Sequence, residues 1–299
     1  MKPRAELEVR TYGAAARPRM GFFTDTSLCI GCKACEVACK EWNRIPADIQ
    51  DLTGESYDNT GPLDADTWRH VAFIEQKVPV GADGAARSLV RTAAAEGLAK
   101  DAGLATYQEG DGLRWLMASD VCKHCTDAAC LDVCPTGALF RTEFGTVVVQ
   151  EDVCNGCGYC VPACPFGVLD QREGDGRVWK CTLCYDRLRD DREPACAQAC
   201  PTDSIQFGPL AELRERAEGR LARLQDAGRD DARLYLADDD DGIGGAGAFF
   251  LLLDEPETYG LPPDPVATTR DLGAIWAATG AAALALGAGL AAAVIGARR

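Results

Sequence analysis

Histidine is nearly absent from this chain, which has only His70 and His124 among its 299 residues. No nucleophile stands in a recognisable pairing with a base, and no Gly-rich loop joins a strand to a helix as in dinucleotide-binding folds. The glycines within 242–247 follow an acidic stretch and precede a strand, so we interpret them as a turn. These absences argue against bond chemistry in this chain, and we expect both histidines to be hydrogen-bonded structural residues.

Positive charge is also in short supply. Lys and Arg number 31 against 46 Asp and Glu, which gives a formal net charge of −15. Because phosphate binding needs clustered cations, nucleic acid is excluded as a partner. The acidic run 238–241 is interpreted as a solvated loop, since adjacent carboxylates repel. Residues 1–23 contain no apolar core, so no cleavable signal is predicted and any export would depend on a partner.

Cysteine, by contrast, is abundant, with sixteen residues in four groups of four. Motifs I and III have the spacing C-x2-C-x2-C-x3-C, motif II widens its middle gap to four residues, and motif IV widens it to eleven. The members are Cys29, Cys32, Cys35 and Cys39 (motif I); Cys122, Cys125, Cys130 and Cys134 (II); Cys154, Cys157, Cys160 and Cys164 (III); and Cys181, Cys184, Cys196 and Cys200 (IV). Proline follows the last cysteine of motifs II, III and IV, as in bacterial ferredoxins.

This spacing predicts iron–sulfur clusters. Three closely spaced thiolates can wrap one face of a 4Fe-4S cubane, while the fourth lies a helical turn away and ligates a partner cluster. The motifs therefore work in pairs, and the simplest nesting joins I with IV and II with III. Two other uses of cysteine fit less well. Structural zinc favours C-x2-C pairs separated by a longer stretch, and disulfide frameworks suit short secreted domains, which this chain is not.

The predicted fold is α+β, with two ferredoxin-like modules, four 4Fe-4S clusters and one C-terminal transmembrane helix. The local patterns predict strands near 71–74 and 249–253, a helix at 93–102, a hairpin over 139–149 and an extended linker at 256–265. They also predict an amphipathic helix at 210–224 that packs on the cluster core, and a charged loop within motif IV that reaches the surface or a partner. The predicted ranges are an N-terminal extension (1–20), module A (21–43 and 170–208), an insertion (44–121), module B (122–169), a helix and strand extension (209–265) and a membrane anchor (266–299).

The end of the chain has no charged residue from Leu272 to Ala297 and closes on Arg298 and Arg299. An uncharged helix of this length, at ~1.5 Å per residue, would cross a ~30 Å hydrocarbon layer with some tilt. The two arginines favour a cytoplasmic C-terminus by the positive-inside bias. We therefore expect a single-pass protein of the cell membrane, with its cluster domain on the outer, periplasmic-side face.

Several stretches resemble the beta (iron–sulfur) subunit of membrane-bound respiratory formate dehydrogenase, within the four-cluster subunits of molybdopterin oxidoreductases. They are CIGCKACEVACKEWN at 29–43, YDN at 57–59, CNGCGYC at 154–160, CPF at 164–166, KCTLC at 180–184, EPAC at 193–196 and YGLP at 259–262. The resemblance covers residues 20–299, and segment 81–112 is an insertion relative to that family.

The resemblance implies four crossed ligand sets. Set 1 is Cys29, Cys32, Cys35 and Cys200; set 2 is Cys181, Cys184, Cys196 and Cys39; set 3 is Cys122, Cys125, Cys130 and Cys164; set 4 is Cys154, Cys157, Cys160 and Cys134. It also implies a non-catalytic subunit of anaerobic respiration, which takes electrons from a molybdopterin (molybdenum or tungsten) catalytic alpha subunit. Their recipient is an integral membrane gamma subunit, a cytochrome b or quinone-binding protein. We further expect Arg177 and Lys180 to raise one cluster's reduction potential.

Three alternatives stay open. The chain could serve a sulfur-compound, sulfoxide or nitrite reductase, or a hydrogenase, instead of a formate dehydrogenase. It could be a soluble polyferredoxin, which would stay soluble without detergent. An interaction or metal-storage protein would give no reversible redox signal.

Overall fold

The computed structural model describes residues 17–46, 60–77 and 113–297. The helix expected at 93–102, the insertion at 81–112 and residues 1–16 of the N-terminal extension lie outside these ranges. Within them helices and strands are mixed, which agrees with the α+β prediction. The helices and strands that carry the cysteines are short, and the longer ones support them.

A four-stranded sheet forms the centre of the described fold. Strands β1 (Met20–Asp25), β8 (Ile205–Pro209), β9 (Arg233–Tyr235) and β10 (Ala248–Leu252) lie in the order β8-β1-β10-β9. β1 pairs antiparallel with β8 and parallel with β10. The strand expected at 249–253 is confirmed, but it shares a sheet with residues that directly precede the first motif. The predicted extension at 209–265 therefore shares a sheet with residues assigned to the predicted module A.

The two faces of this sheet belong to two different cores, because successive strand residues point to opposite sides. Phe22 packs with the cysteines and with Phe207, at 6.0 Å between ring centroids. Its neighbour Phe23 faces the other way and stacks on Phe249 at 5.3 Å. The first core contains cysteines from all four motifs, so it crosses the predicted module boundary.

The second core lies under helix α6 (Leu210–Asp226). Its buried residues recur at three- and four-residue steps, as the pattern predicted, and they include Leu210, Leu213, Ala217 and Leu224. Pro209 precedes the helix, where a missing N–H costs nothing. The helix was expected to pack on the cluster core; it packs instead on the opposite face of the sheet.

Three antiparallel hairpins complete the strands. β2 (Arg69–Lys77) pairs with β3 (Leu113–Val121), β4 (Leu139–Arg141) with β5 (Val147–Val149), and β6 (Asp170–Gln171) with β7 (Val178–Trp179). The first two confirm the predicted strand near 71–74 and the predicted hairpin at 139–149. Each hairpin borders a cysteine motif. β3 runs directly into Cys122, β4 and β5 lie between motifs II and III, and β7 ends two residues before Cys181.

Short helices carry the third cysteine of each motif, namely Cys35, Cys130, Cys160 and Cys196. Helix α1 (Ala34–Asn43) contains Cys39 of motif I; α2 is Ala129–Asp132, α3 Cys160–Ala163, α4 Tyr185–Arg189 and α5 Ala195–Gln198. α1 packs against α5, and α2 packs against α3. The charged segment between Cys184 and Cys196 was expected to reach the surface, and most of it is exposed, whereas Arg187, Leu188, Pro194 and Ala195 are buried.

The predicted extended linker at 256–265 is wrong over its first part. Residues Pro256–Tyr259 form a 3₁₀ turn, and the Tyr259 hydroxyl accepts a hydrogen bond from the Leu253 N–H at 3.1 Å. Tyr235 donates to the Pro262 carbonyl at 2.5 Å. The prolines indicated a linker, but two buried tyrosines attach the segment to the sheet.

Helix α7 (Leu272–Ala297) ends the described chain. It contains 26 residues, none of them buried, and within the described ranges it is the one helix long and apolar enough to cross a membrane. Just before it, Thr269 donates to Asp132 at 2.7 Å and Thr268 donates to the Ala163 carbonyl at 3.1 Å. The start of the helix is thus attached to α2 and α3.

Candidate metal centres

All sixteen cysteines lie in the described residues, and all are free thiols. Most are buried or half-buried, whereas Cys32 and Cys157 are exposed. No three His, Cys, Asp or Glu side chains in the described ranges are close enough to hold a single metal ion. A cubane takes its thiolates from four separate iron corners, so its ligands stand further apart than those of one zinc ion.

The C-x2-C loops of the four motifs share one backbone feature. The residue before the second cysteine has a positive φ in each: 65° at Gly31, 46° at His124, 71° at Gly156 and 57° at Leu183. This left-handed turn curls the loop, so that successive N–H groups point into one concavity. In motif IV the Leu183 N–H donates to Cys181 Sγ at 3.3 Å. Such amide donors to thiolate sulfur are typical of iron–sulfur sites.

A pocket opens to solvent beside motif I, with about 300 Å³ of space that includes the solvent at its mouth. The cysteines in its lining are Cys29, Cys32, Cys35 and Cys200. Burial raises the pKa of Cys29 to about 11, and the neighbouring Cys200 and Cys32 thiols add to the rise. The Ser119 hydroxyl lies 3.2 Å from Cys35 Sγ at the back of this pocket.

A second group of thiols surrounds the contact between α1 and α5. Burial raises the pKa of Cys39 well above its usual value, and its neighbours Cys181, Cys196 and Cys184 raise it further. The Asn43 amide lies 3.7 Å from Cys39 Sγ and 4.0 Å from Cys184 Sγ, so one side chain serves both motifs.

Two further groups lie around α2 and α3. Burial raises the pKa of Cys125, and the nearest thiols that contribute are Cys122, Cys130 and Cys164. Burial likewise raises the pKa of Cys160 to about 11, and the thiols that contribute to this shift are Cys134, Cys154 and Cys157.

Some thiols also lie close to a neighbouring group. The pKa of Cys35 is raised mainly by burial, and Cys196 contributes from the second group. The pKa of Cys181, in the second group, is raised mainly by burial and next by Cys122 of the third group. The pKa of Cys130 is raised mainly by burial, and Cys160 of the fourth contributes.

Lys180 lies where the second and third groups meet. Its side chain is buried, and Nζ donates to the carbonyls of Val147 and Cys181 and lies 3.6 Å from Cys122 Sγ. This position brings Lys180 close enough to a thiol to act on a cluster there, while its effect on a reduction potential stays a prediction. Arg177 lies in the β6–β7 hairpin, where its N–H donates to Asp175 at 2.8 Å.

Both histidines make hydrogen bonds. His70 Nδ1 lies 2.8 Å from the Thr60 hydroxyl, and His124 Nδ1 accepts from the Val147 N–H at 3.0 Å. Burial lowers the pKa of His124 well below its usual value, and the nearby Lys180 acts in the same direction.

Three polar residues near the thiols were not singled out by sequence reasoning: Arg69, Ser119 and Asn43. Arg69 and Ser119 belong to a hairpin whose two strands are separated by more than thirty residues of sequence. Only the observed register, which pairs Arg69 with Val121, places them beside motif I. Asn43 belongs to the helix that carries Cys39, and its i, i+4 spacing from Cys39 is the one signal that pointed to it.

Comparison with known proteins gives the class of this chain. A family model described as a 4Fe-4S dicluster domain matches residues 113–210, and one described as a 4Fe-4S binding domain matches residues 26–42. Together with the cysteine-lined sites, these matches define a 4Fe-4S electron-transfer protein.

The relatives narrow this class. A formate dehydrogenase iron-sulfur subunit of Haemophilus influenzae is 40% identical over 81% of this chain and 68% of its own length. The iron-sulfur subunit of the nitrate-inducible formate dehydrogenase of Escherichia coli is 38% identical over 86% of this chain and 76% of its own. The B subunit of the anaerobic dimethyl sulfoxide reductase of the same organism is 37% identical over 68% and 80%. The protein described here belongs to the family of formate dehydrogenase iron–sulfur subunits.

Proposed function

We propose that this chain is the electron-transfer subunit of a membrane-bound formate dehydrogenase and holds four 4Fe-4S clusters in series. It links a molybdopterin catalytic subunit to an integral membrane subunit with haem b or a quinone site. When bound, such clusters take up and release single electrons. The chain's own residues hold the clusters, exclude water from them and set the charge around them.

The observation that carries this proposal is the neighbourhood of the thiols. Cys200 of motif IV lies among the first three cysteines of motif I, and Cys39 of motif I lies among those of motif IV. Motifs II and III exchange Cys164 and Cys134 in the same way. These neighbours support the crossed sets 1 to 4 and the two-module division, because the spacing of each motif directs its fourth thiolate to a partner cluster.

The electrostatic neighbours of the thiols support a linear order of the sets. Set 1 approaches set 2 through Cys35 and Cys196, and set 2 approaches set 3 through Cys181 and Cys122. Sets 3 and 4 meet at Cys130 and Cys160. Tunnelling rates fall steeply with distance, so a series of neighbouring sites suits a chain that conducts electrons between two partners.

Exposed thiols lie at the two ends of this series, Cys32 in set 1 and Cys157 in set 4. Apolar side chains are exposed beside both: Ile30 is 42% exposed and Tyr159 is 64% exposed. An electron partner must approach closely at each end, and exposed apolar groups are what a docking protein would cover.

The C-terminal helix supports an anchor near the set 4 end. Thr268 and Thr269 attach its root to α2 and α3, which carry cysteines of sets 3 and 4. We propose that α7 crosses the membrane once, so that these sets lie closest to the membrane partner. The arginines after the span favour a cytoplasmic C-terminus and a cluster domain on the periplasmic side.

Anaerobic purification from the native membrane in mild detergent tests the proposal. Four cubanes imply about sixteen iron and sixteen sulfide per chain, and the redox-active catalytic and haem or quinone subunits should co-purify. A truncation that removes residues 272–299 is the matched control: it should keep its iron and leave the membrane fraction. Bound zinc, or far fewer irons with no reversible redox signal, would contradict the cluster assignment.

A second candidate is the equivalent subunit of a dimethyl sulfoxide reductase or another molybdopterin oxidoreductase. The 37% identity to the B subunit of the Escherichia coli dimethyl sulfoxide reductase favours it. The formate dehydrogenase relatives align over more of this chain, 81% and 86% against 68%. Identification of the co-purified catalytic subunit, with formate and sulfoxide as rival substrates, decides between the two.

A further inference from the structure

Arg69 is a buried arginine without an acidic partner. Only 2% of the residue is exposed, although it is the first residue of β2. Within the described ranges no carboxylate forms an ion pair with it. An arginine buried without a counter-charge costs several kcal/mol, so a fold that retains one must supply negative charge from another source.

The guanidinium is held on one side only. Nη1 donates to the Ser119 hydroxyl at 3.0 Å and to the Ser119 carbonyl at 3.3 Å. The Phe22 ring lies 4.8 Å from Cζ and fixes the plane of the group. Nε and Nη2 have no hydrogen-bond partner, although both are buried. These two atoms carry three N–H donors, and burying them without an acceptor is unfavourable.

The charges nearest to Arg69 are thiols of two ligand sets. Cys35 belongs to set 1, and it is also linked to Arg69 through the Ser119 hydroxyl. Cys196, Cys181 and Cys39 belong to set 2. Burial opposes the charged form of Arg69, yet these thiolates together raise its pKa above its usual value. The Phe22 ring beneath the guanidinium packs in the same buried core as Cys35, Cys39, Cys181 and Cys196, so Arg69 adjoins the first two ligand sets.

We propose that Arg69 is a shared counter-charge for the clusters of sets 1 and 2, and that its free N–H groups donate to their sulfur atoms. The inference rests on the proposed function, because it needs clusters at both sets. Hydrogen bonds and positive charge at the sulfurs stabilise the reduced state and raise the reduction potential. One residue therefore raises two neighbouring potentials and leaves sets 3 and 4 unchanged.

EPR-monitored redox titration of the purified complex tests this proposal. Arg69→Met keeps an unbranched stem and removes the charge, so two of the four midpoint potentials should become more negative. Arg69→Lys keeps the charge without the planar fork, and its shift should be smaller. Arg172→Met is the matched control, since Arg172 already has an acidic partner, Asp66, at 2.7 Å and stacks on Trp179. It should leave all four potentials in place.

The outcomes separate this inference from the proposed function. Four bound clusters with four unchanged potentials in Arg69→Met would overturn the role of Arg69 and leave the electron-transfer assignment intact. Absence of clusters from the unmodified protein would remove both. Where Arg69→Met loses about half of its iron, retention by Arg69→Lys supports the counter-charge. Equal loss in both variants would mean that charge is not what Arg69 supplies.

Discussion

The left-handed turn at Gly31 provides a sharp test of how the motif I loop holds its site. Gly31 has φ of +65°, and a Cβ there would lie 2.5 Å from Phe73 Cε1 and 2.7 Å from Met117 Sδ. Gly31→Ala therefore combines two penalties. The left-handed conformation costs an L-residue ~1–2 kcal/mol, and overpacking adds ~1–3 kcal/mol. The expected total is roughly 2–5 kcal/mol.

Gly167→Ala separates the two penalties. Gly167 has φ of +61°, yet nothing lies within 4 Å of a Cβ at that position. It should lose only the conformational part, ~1–2 kcal/mol. In a fold of this size the difference between the variants corresponds to roughly 2–12 °C in Tm, if 1 kcal/mol shifts it by 2–4 °C.

Thermal unfolding under anaerobic conditions, at one scan rate, gives the comparison of stability, and iron analysis gives the effect on the site. Gly31→Ala should retain about twelve irons per chain, with set 1 lost, whereas Gly167→Ala should retain about sixteen. Equal losses in the two variants would refute the steric argument. The backbone conformation alone would then account for the glycine at position 31.

Three further predictions concern other contacts. Asp25→Ala removes the carboxylate that lies 2.9 Å from the buried Arg220, and should cost ~3–5 kcal/mol in thermal unfolding; full stability in that variant would contradict a structural role for the pair. Lys180→Gln removes a positive charge that lies 3.6 Å from Cys122 Sγ. The lost interaction is worth roughly 1–4 kcal/mol, so the reduction potentials of sets 2 and 3 should fall by about 40–170 mV. Unchanged potentials in a redox titration would count against this role of Lys180. Leu213→Ala should cost ~2–5 kcal/mol because the side chain is fully buried, while the exposed Glu215→Ala stays within about 0.5 kcal/mol; similar Tm values would show that α6 does not depend on this packing.

The local parts of the fold were predictable from the sequence. The helix that carries Cys39 follows from the three-residue gap that places this cysteine one helical turn beyond Cys35, and α6 follows from the periodicity of Leu210, Leu213 and Ala217. Alternating and β-branched residues predicted β4 and β5. In each case the signal lies within one short segment, where local periodicity and turn chemistry decide the structure.

Long-range pairing was not predictable in the same way. β10 is inserted beside β1, more than two hundred residues earlier, and no local signal specifies that partner. The prolines at 256–265 indicated a linker, and the pattern gave no sign of the hydrogen bond from Tyr235 to the Pro262 carbonyl, which joins residues 27 positions apart. In the sequence Arg69 is an ordinary charged strand residue, and only the fold surrounds it with β3 and motif I.

The central claim is that each motif gives its fourth cysteine to a partner site, and serine replacement tests it most directly. EPR-monitored redox titration should show that Cys39→Ser alters the same cluster as Cys184→Ser, although the two residues belong to different motifs. Cys29→Ser should alter a different cluster, the one that Cys200→Ser also alters. If Cys39→Ser and Cys29→Ser instead change one and the same signal, each motif holds its own cluster and the crossed sets are wrong.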